Sequence, residues 1–142
     1  MTVSRIINEK GRNVVTASPE TTLAALTATL AEKRIGAIVV VEKGAIRGII
    51  SERDIVRAIA KHGGDALMKP ASEWMTARVM TCEPRDTINE VMQKMTSGRF
   101  RHLPVMENGK LAGIVSIGDV VKRRIEDVER EADQIREYIA TA

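Results

Sequence analysis

With 142 residues, 44% of them hydrophobic and 29% charged, the chain is long enough for one domain or for two small units that share a core, and its composition is globular rather than disordered. The net charge of +3, with acids and bases interleaved, does not by itself indicate a nucleic-acid binder, and 2% aromatic residues argue against a stacking surface for single-stranded nucleic acid. The single cysteine, Cys82, excludes an internal disulfide and a cysteine metal cluster.

The sequence also bears on where the protein resides. It contains no signal-peptide pattern and no apolar run of transmembrane length, so we expect a reducing, cytoplasmic setting and no membrane partner. No recognisable metal-binding motif is present, so no metal is predicted.

Hydrophobic periodicity predicts the elements of the first half in order. After a lead-in helix over 1–12, it predicts a strand over 14–16, a helix to about 33, a buried strand over 38–41, a turn, a strand over 45–50 and a helix to about 61. A linker with one helical turn follows. The second half repeats the plan, with a strand near Val79, a helix over 86–95, strands over 102–106 and 111–115, and a long last helix over 119–139.

The second half matches the first at a constant offset of 65 residues without a gap, which indicates an internal duplication. The matched pairs include Val14 with Val79, Pro19 with Pro84, Gly48 with Gly113, Ser51 with Ser116 and Asp54 with Asp119. The predicted organisation is a lead-in helix (1–12), a first unit (13–66), a linker (67–77), a second unit (78–130) and a helical extension (131–142).

The most informative repeated segment is a strand that ends at a serine and turns at once into a helix, with an aspartate three residues on. Ser51 and Asp54 form the first such corner, and Ser116 and Asp119 the second. A helix start offers backbone N–H groups and partial positive charge to an anion, and the carboxylate offers two acceptors for paired hydroxyls such as those of a ribose. The alternative is a plain capping box, which needs no ligand.

The last helix carries an apolar stripe that steps alternately by four and three residues. The stripe is formed by Val121, Ile125, Val128, Ala132, Ile135 and Ile139. Heptad spacing on an otherwise charged helix favours a partner helix from a second subunit over a stripe that covers the helix's own core.

These segments resemble the tandem pair of cystathionine-β-synthase (CBS) domains known as the Bateman module. The family's Gly-hydrophobic-x-Ser/Thr-x-x-Asp corner is matched at 48–54 and 113–119, and Val-x-Thr-x-x-Pro at 14–19 and 79–84. The resemblance covers about residues 3–130. It implies an α/β (α+β) fold of two β-α-β-β-α units related by pseudo-twofold symmetry, here with an extended C-terminal helix, and two adenosine-nucleotide clefts between the units.

The resemblance also implies which residues line each cleft. In the family the corner aspartate accepts hydrogen bonds from the ribose hydroxyls, and the corner Ser/Thr lies near ribose or phosphate. Residues of the opposite unit line the adenine pocket. Cleft 1 would then be lined by Thr16, Ala17, Ile38, Arg101, His102, Ile114, Ser116 and Asp119. Cleft 2 would be lined by Ile49, Ser51, Asp54, Thr81, Cys82 and Leu103.

The two implied clefts differ in charge. Arg101 and His102 stand where the first unit has Gly36 and Ala37, and Gly118 replaces an arginine. A guanidinium can hold phosphate oxygens at two points, so the Asp119 cleft is predicted to favour the ligand with more phosphate charge. Cys82 is interpreted as a small wall residue rather than a redox thiol.

By this resemblance the chain is a non-catalytic regulatory module that senses cellular energy or redox state by binding an adenosine nucleotide. AMP is the ligand expected first, with ADP, ATP or NAD(H) as alternatives, and the protein would act as a disc-like homodimer on an unknown effector protein. The competing hypotheses are a small enzyme acting on a nucleotide and a nucleic-acid-binding module. Neither is favoured, because no catalytic motif is present and the basic residues of the last helix lie beside acidic ones.

Overall fold

The computed structural model describes residues 1–141, and the chain forms two compact units. The central unit is Val14–Val79, and the terminal unit joins Met1–Asn13 to the chain from Met80 onward. The lead-in segment therefore packs with the second copy of the repeat, a partnership that the order of elements along the chain does not reveal.

Helices and short strands alternate through the chain, as the mixed α/β prediction requires. The helices are α1 (Val3–Lys10), α2 (Leu23–Lys33), α3 (Glu52–His62), α4 (Ala71–Trp74), α5 (Ile88–Gly98) and α6 (Ile117–Thr141). The strands are β1 (Thr16–Ala17), β2 (Ala37–Glu42), β3 (Ala45–Ser51), β4 (His102–Glu107) and β5 (Lys110–Ser116), and a 3₁₀ helix, Gly63–Met68, follows α3.

Each unit is built on a β-hairpin. In the central unit β2 and β3 pair antiparallel and β1 joins β2 in parallel; in the terminal unit β4 and β5 pair antiparallel. The prediction of a strand near Val79 is wrong. Within residues 1–141, the counterpart of β1 is a single parallel bridge between Cys82 and Val105. A two-residue pairing depends on a distant partner strand, so local sequence predicts its presence better than its extent.

The duplication reaches down to individual helix caps. Thr22 accepts a hydrogen bond from the Ala25 amide at 3.2 Å, and its counterpart Thr87 accepts one from the Glu90 amide at 3.1 Å. These threonines satisfy amides that a helix start leaves without an intrahelical partner. The repeated sequence thus encodes the same helix boundaries twice.

Two separate apolar cores hold the units. The core of the terminal unit is formed by Val3, Ile6, Ile7, Cys82, Ile88, Val91, Met95, Leu103, Val105, Val115 and Val120. The core of the central unit is formed by Leu23, Leu26, Leu30, Ile38, Val40, Ile50, Ile55, Ala58, Ala66 and Ala71. Removal of these side chains from water is the main stabilising contribution, and helix α1 supplies three of them to the terminal core.

Helix α6 has two faces of different character. Val120 and Arg123 are buried in the terminal unit, where Arg123 pairs with Glu9 and with Glu126. The heptad stripe lies on another face and is largely exposed: Ile125 is 53% exposed, Ile135 61% and Ile139 68%. Within residues 1–141 no helix is long and apolar enough to span a membrane.

Gly48 provides a test of the central unit's packing. A β-carbon placed on Gly48 would lie 2.5 Å from the Met75 Sδ and 2.9 Å from the Thr76 carbonyl oxygen. The Thr76 carbonyl accepts the Ile49 amide at 3.0 Å, so this backbone cannot move away without loss of a hydrogen bond. We expect Gly48→Ala to lower the free energy of unfolding by about 1–3 kcal/mol, measured by urea denaturation.

The matched control is Gly113→Ala, the same position in the other copy. There the nearest atom to an added β-carbon is the Ile7 Cγ2 at 3.0 Å, a side-chain methyl that can shift. The loss of stability should be smaller than for Gly48→Ala. A Gly48→Ala chain as stable as the parent, or a larger loss for Gly113→Ala, would contradict this account of the packing.

Candidate functional site

The central corner joins β3 to α3 and forms the predicted capping box. The Ser51 amide donates to Asp54 Oδ2 at 2.8 Å, and the Asp54 amide donates to Ser51 Oγ at 3.4 Å. These bonds hold the carboxylate at the helix start, where the helix dipole favours negative charge.

The terminal corner, between β5 and α6, has the same geometry. The Ser116 amide donates to Asp119 Oδ2 at 2.9 Å, and the Asp119 amide donates to Ser116 Oγ at 3.1 Å. In both corners the carboxylate is therefore oriented by its own helix start. The amide bonds end on Oδ2, so Oδ1 is the better candidate acceptor for a ligand hydroxyl.

The first amide of each helix is also engaged within the protein. The Glu52 amide donates to the Gly36 carbonyl at 3.0 Å, and the Ile117 amide donates to the Arg101 carbonyl at 2.8 Å. Together with the two capping bonds, this engages three amides at each helix start that an anion could otherwise use. The corners are therefore better suited to hydroxyl groups on the carboxylate than to a phosphate on the helix start.

Lys10 distinguishes the terminal corner. Its Nζ lies 2.6 Å from Asp119 Oδ2 and donates to the Ile114 carbonyl at 3.1 Å, and both partners belong to the predicted cleft 1. Lys10 stands at the end of α1, 109 residues from Asp119 in the sequence. Sequence reasoning missed it, because nothing in the lead-in helix indicates which unit it packs against.

The electrostatics of Asp119 follow from these contacts. Burial acts to raise the pKa of the carboxyl group, but the hydrogen bonds from Lys10 and Ser116 and the charge of Lys10 outweigh it, so the pKa lies below its ordinary value. Asp119 is thus ionised at neutral pH and acts as an acceptor only. Its contribution to stability is present above the unfolded-state pKa of about 3.9 and is lost as the pH falls through the lower folded-state pKa.

Asp54 has a different cationic neighbour. Arg57, one helical turn further on, places Nη1 3.7 Å from Asp54 Oδ1. This arginine is exposed to solvent, so the pair is loose and contributes little to stability. The two corners share their backbone geometry but differ in the cation at the carboxylate.

The structure brings several predicted cleft 1 residues together within the terminal unit. His102 pairs with Ser116 across the β4–β5 hairpin, and the Arg101 carbonyl accepts the first amide of α6. The other predicted members of this cleft, Thr16, Ala17 and Ile38, belong to the central unit. Their contribution to a common site remains a prediction.

The predicted cleft 2 residues are likewise divided. Ile49 lies in the central unit with its corner, whereas Thr81, Cys82 and Leu103 lie in the terminal unit. The side chains of Cys82 and Leu103 are packed in the terminal core, and that of Ile38 is packed in the central core. Any ligand contact at these three positions would therefore be made by the backbone.

Cys82 is buried in the terminal core, with 2% of the residue exposed. Burial and the charge of Asp86 raise the pKa of its thiol to about 12, against the opposing effect of Lys94. We expect the native protein to react with a disulfide reagent at pH 8 roughly 1,000-fold more slowly than the protein unfolded in urea, because the thiolate is the reactive form. A native rate within tenfold of the unfolded rate would contradict this; Cys82→Ala measures the background.

Comparison with known proteins identifies the family. The family model for the CBS domain matches residues 3–61 and 71–126. The mitochondrial CBS domain-containing protein CBSX3 of Arabidopsis thaliana is 31% identical, over 97% of this chain and 71% of its own length. That relative's name specifies mitochondria, so a cytoplasmic location for this chain remains a prediction.

Solved structures agree with this assignment. The CBS-domain containing protein ATU1752 of Agrobacterium tumefaciens is 46% identical with a TM-score of 0.84, over 87% of this chain and 99% of its own. The CBS domain protein PAE2072 of Pyrobaculum aerophilum, solved in complex with AMP, is 28% identical with a TM-score of 0.73, over 84% of this chain and 89% of its own. The chain, with its duplicated Ser–Asp corners, belongs to the CBS domain family.

Proposed function

We propose that this chain is a non-catalytic regulatory module that senses cellular energy or redox state by binding an adenosine nucleotide. The observation that carries the proposal is the repeated corner, in which a serine and its own helix start orient an aspartate carboxylate in the same way twice. Each carboxylate, Asp54 and Asp119, would accept hydrogen bonds from the ribose hydroxyls.

AMP is the ligand that we place first. Support comes from the Pyrobaculum relative, which was solved with AMP. The corner amides are already hydrogen-bonded within the protein, so the helix starts offer little to additional phosphate groups. ADP, ATP and NAD(H) share the adenosine group and stay as alternatives. Arg101, exposed at the start of the β4–β5 hairpin, would contact phosphate in the Asp119 site and make that site prefer the more highly charged ligand.

Two measurements test the proposal. Mass spectrometry of small molecules released from purified native protein should detect an adenosine nucleotide, and calorimetric titration of the stripped protein should give saturable binding of AMP. Incubation with AMP, ATP and NAD(H) should give no turnover. Absence of binding at millimolar ligand would reject the proposal, and turnover would favour the small-enzyme alternative.

The exposed stripe of α6 supports a homodimer as the functional assembly. Val120 and Arg123 lie on another face of α6 and pack on the terminal unit, so the stripe itself is available to a second helix. Heptad spacing of apolar residues is typical of two helices that bury a common seam. We expect each chain to contribute one α6 helix to that seam.

The charges beside the stripe are compatible with a parallel arrangement of the two helices. With Ile125 and Ile139 at heptad position a, Arg124 falls at g and Glu129 at the following e position. In a parallel, in-register pair these positions are neighbours, so Arg124 faces Glu129 of the partner subunit. Glu131 and Arg136 repeat the pairing one heptad on. Both levels are attractive in a parallel pair, which is the orientation that we propose.

The effector protein that reads this module stays unidentified. A ligand can transmit a signal only if it binds two conformations of the module with unequal affinity. Comparison of amide hydrogen exchange with and without AMP would identify the segments that change.

A further inference from the structure

At the terminal corner, the Lys10 ammonium occupies a place where we would expect a hydroxyl group of the ligand. It bridges a carboxylate and a carbonyl, Asp119 Oδ2 at 2.6 Å and the Ile114 oxygen at 3.1 Å. The proposed function assigns Asp119 to the ribose, and Ile114 is predicted to line the same cleft. A ribose that donates one hydroxyl to each oxygen of this carboxylate would have to share or replace the ammonium's hydrogen bond at Oδ2.

The contacts around Lys10 fix its backbone near the corner but leave its side chain free to move. The neighbouring Glu9 pairs with the buried Arg123, which attaches the end of α1 to α6. The Lys10 side chain itself is 40% exposed, and that of Asp119 is 26% exposed. The ion pair therefore has only a modest free energy, and the four-carbon stem can swing away while the helix stays in place.

The pocket beside this ion pair is positively charged. It has a volume of about 140 Å³ and is lined by Ile6, Glu9, Lys10, Asp119, Lys122 and Arg123. Because Glu9 and Arg123 neutralise each other, the remaining cationic side chains are Lys10 and Lys122. An ammonium displaced from Asp119 would stay near enough to pair with an anionic group of the incoming ligand.

We infer that Lys10 is a built-in competitor for the ribose subsite at Asp119 and thereby selects adenosine ligands that carry phosphate. This rests on the proposed function. A neutral nucleoside must displace the ammonium and offers it no new partner. A nucleotide displaces it and supplies a phosphate in exchange. At the central corner the cation beside Asp54 is instead Arg57, which belongs to the same helix as the carboxylate.

The test compares adenosine with AMP in chains that carry Asp54→Ala, so that the terminal corner alone reports binding. Lys10→Met keeps the length of the side chain and removes its charge. We expect adenosine to bind roughly three- to tenfold more tightly in the Lys10→Met chain, and the ratio of AMP to adenosine affinity to fall at least threefold. Lys10→Arg should keep the parent ratio, because it keeps the charge.

A control and a second measurement separate this inference from the proposed function. Lys69→Met removes a lysine that pairs with Glu73 in the central unit and should leave the ratio unchanged. The pKa of Asp119, followed by carboxyl NMR, should rise in Lys10→Met. Binding of AMP with an unaltered ratio would overturn the role of Lys10 alone. Absence of AMP binding in the Asp54→Ala chain would overturn the assignment of the terminal corner and this inference with it.

Discussion

Replacing Asp119 by alanine should weaken nucleotide binding at the terminal corner by roughly 10- to 100-fold. A hydrogen bond to a charged group contributes about 1.5–3 kcal/mol, and the carboxylate is the acceptor that we assign to the ribose. Titration calorimetry with AMP, in the Asp54→Ala background, measures the change. An unaltered affinity would show that the corner carboxylate does not contact the nucleotide.

Asp86→Ala is the matched control for this variant. Asp86 Oδ2 accepts the Glu83 amide at 2.9 Å, the same kind of structural bond that Asp119 makes with the Ser116 amide. Both variants should lose a similar amount of stability, about 1 kcal/mol, because each removes one acceptor of a backbone N–H. Only Asp119→Ala should lose nucleotide affinity, which separates a ligand contact from a purely structural cap.

Ile125→Asp should convert the proposed homodimer into a monomer. Ile125 is at the a position of the exposed stripe, so the variant would place an unpaired carboxylate in the seam between two helices. We expect the dimer dissociation constant to rise at least roughly 100-fold, measured by analytical ultracentrifugation. Arg130→Asp, at the f position away from the seam, should leave the assembly intact. A parent chain that is monomeric would reject the dimer.

Charge exchange tests the orientation of the helices. Arg124→Glu should weaken a parallel dimer, because it places two acids together at each g–e contact. Adding Glu129→Arg restores an attractive pair and should restore dimer affinity. In an antiparallel pair the g position faces another g position, so the second change would give no such rescue. Failure of the double variant to recover would therefore contradict the parallel register.

Much of the fold was predictable because its determinants are local and occur twice. Thr22 and Thr87 mark helix starts through their own side chains, and the two Ser–Asp corners form the predicted capping contacts within four residues of chain. Apolar runs and turn glycines positioned the hairpins to within one or two residues. The family followed from these same short segments, and the family model and the solved relatives confirmed it.

The corners illustrate where such reasoning ends. The sequence correctly placed Asp54 and Asp119 at helix starts. It could not show that the first amide of each helix donates to a carbonyl just before the first strand of the hairpin, at Gly36 and Arg101. That bond joins residues about 16 apart and depends on how each hairpin closes. It decides how much of the helix start is left for an anion.

The duplicated order of elements, the helix caps and the two corner aspartates could be predicted from the residues alone, because each depends on neighbours a few residues away. Only the folded chain shows that α1 packs with the second copy, that Arg123 is buried against Glu9, and that Lys10 reaches Asp119. The two ion pairs join residues more than 100 positions apart, and no periodicity in either segment specifies the other. The partner of a charged side chain is set by which surfaces the apolar cores bring together.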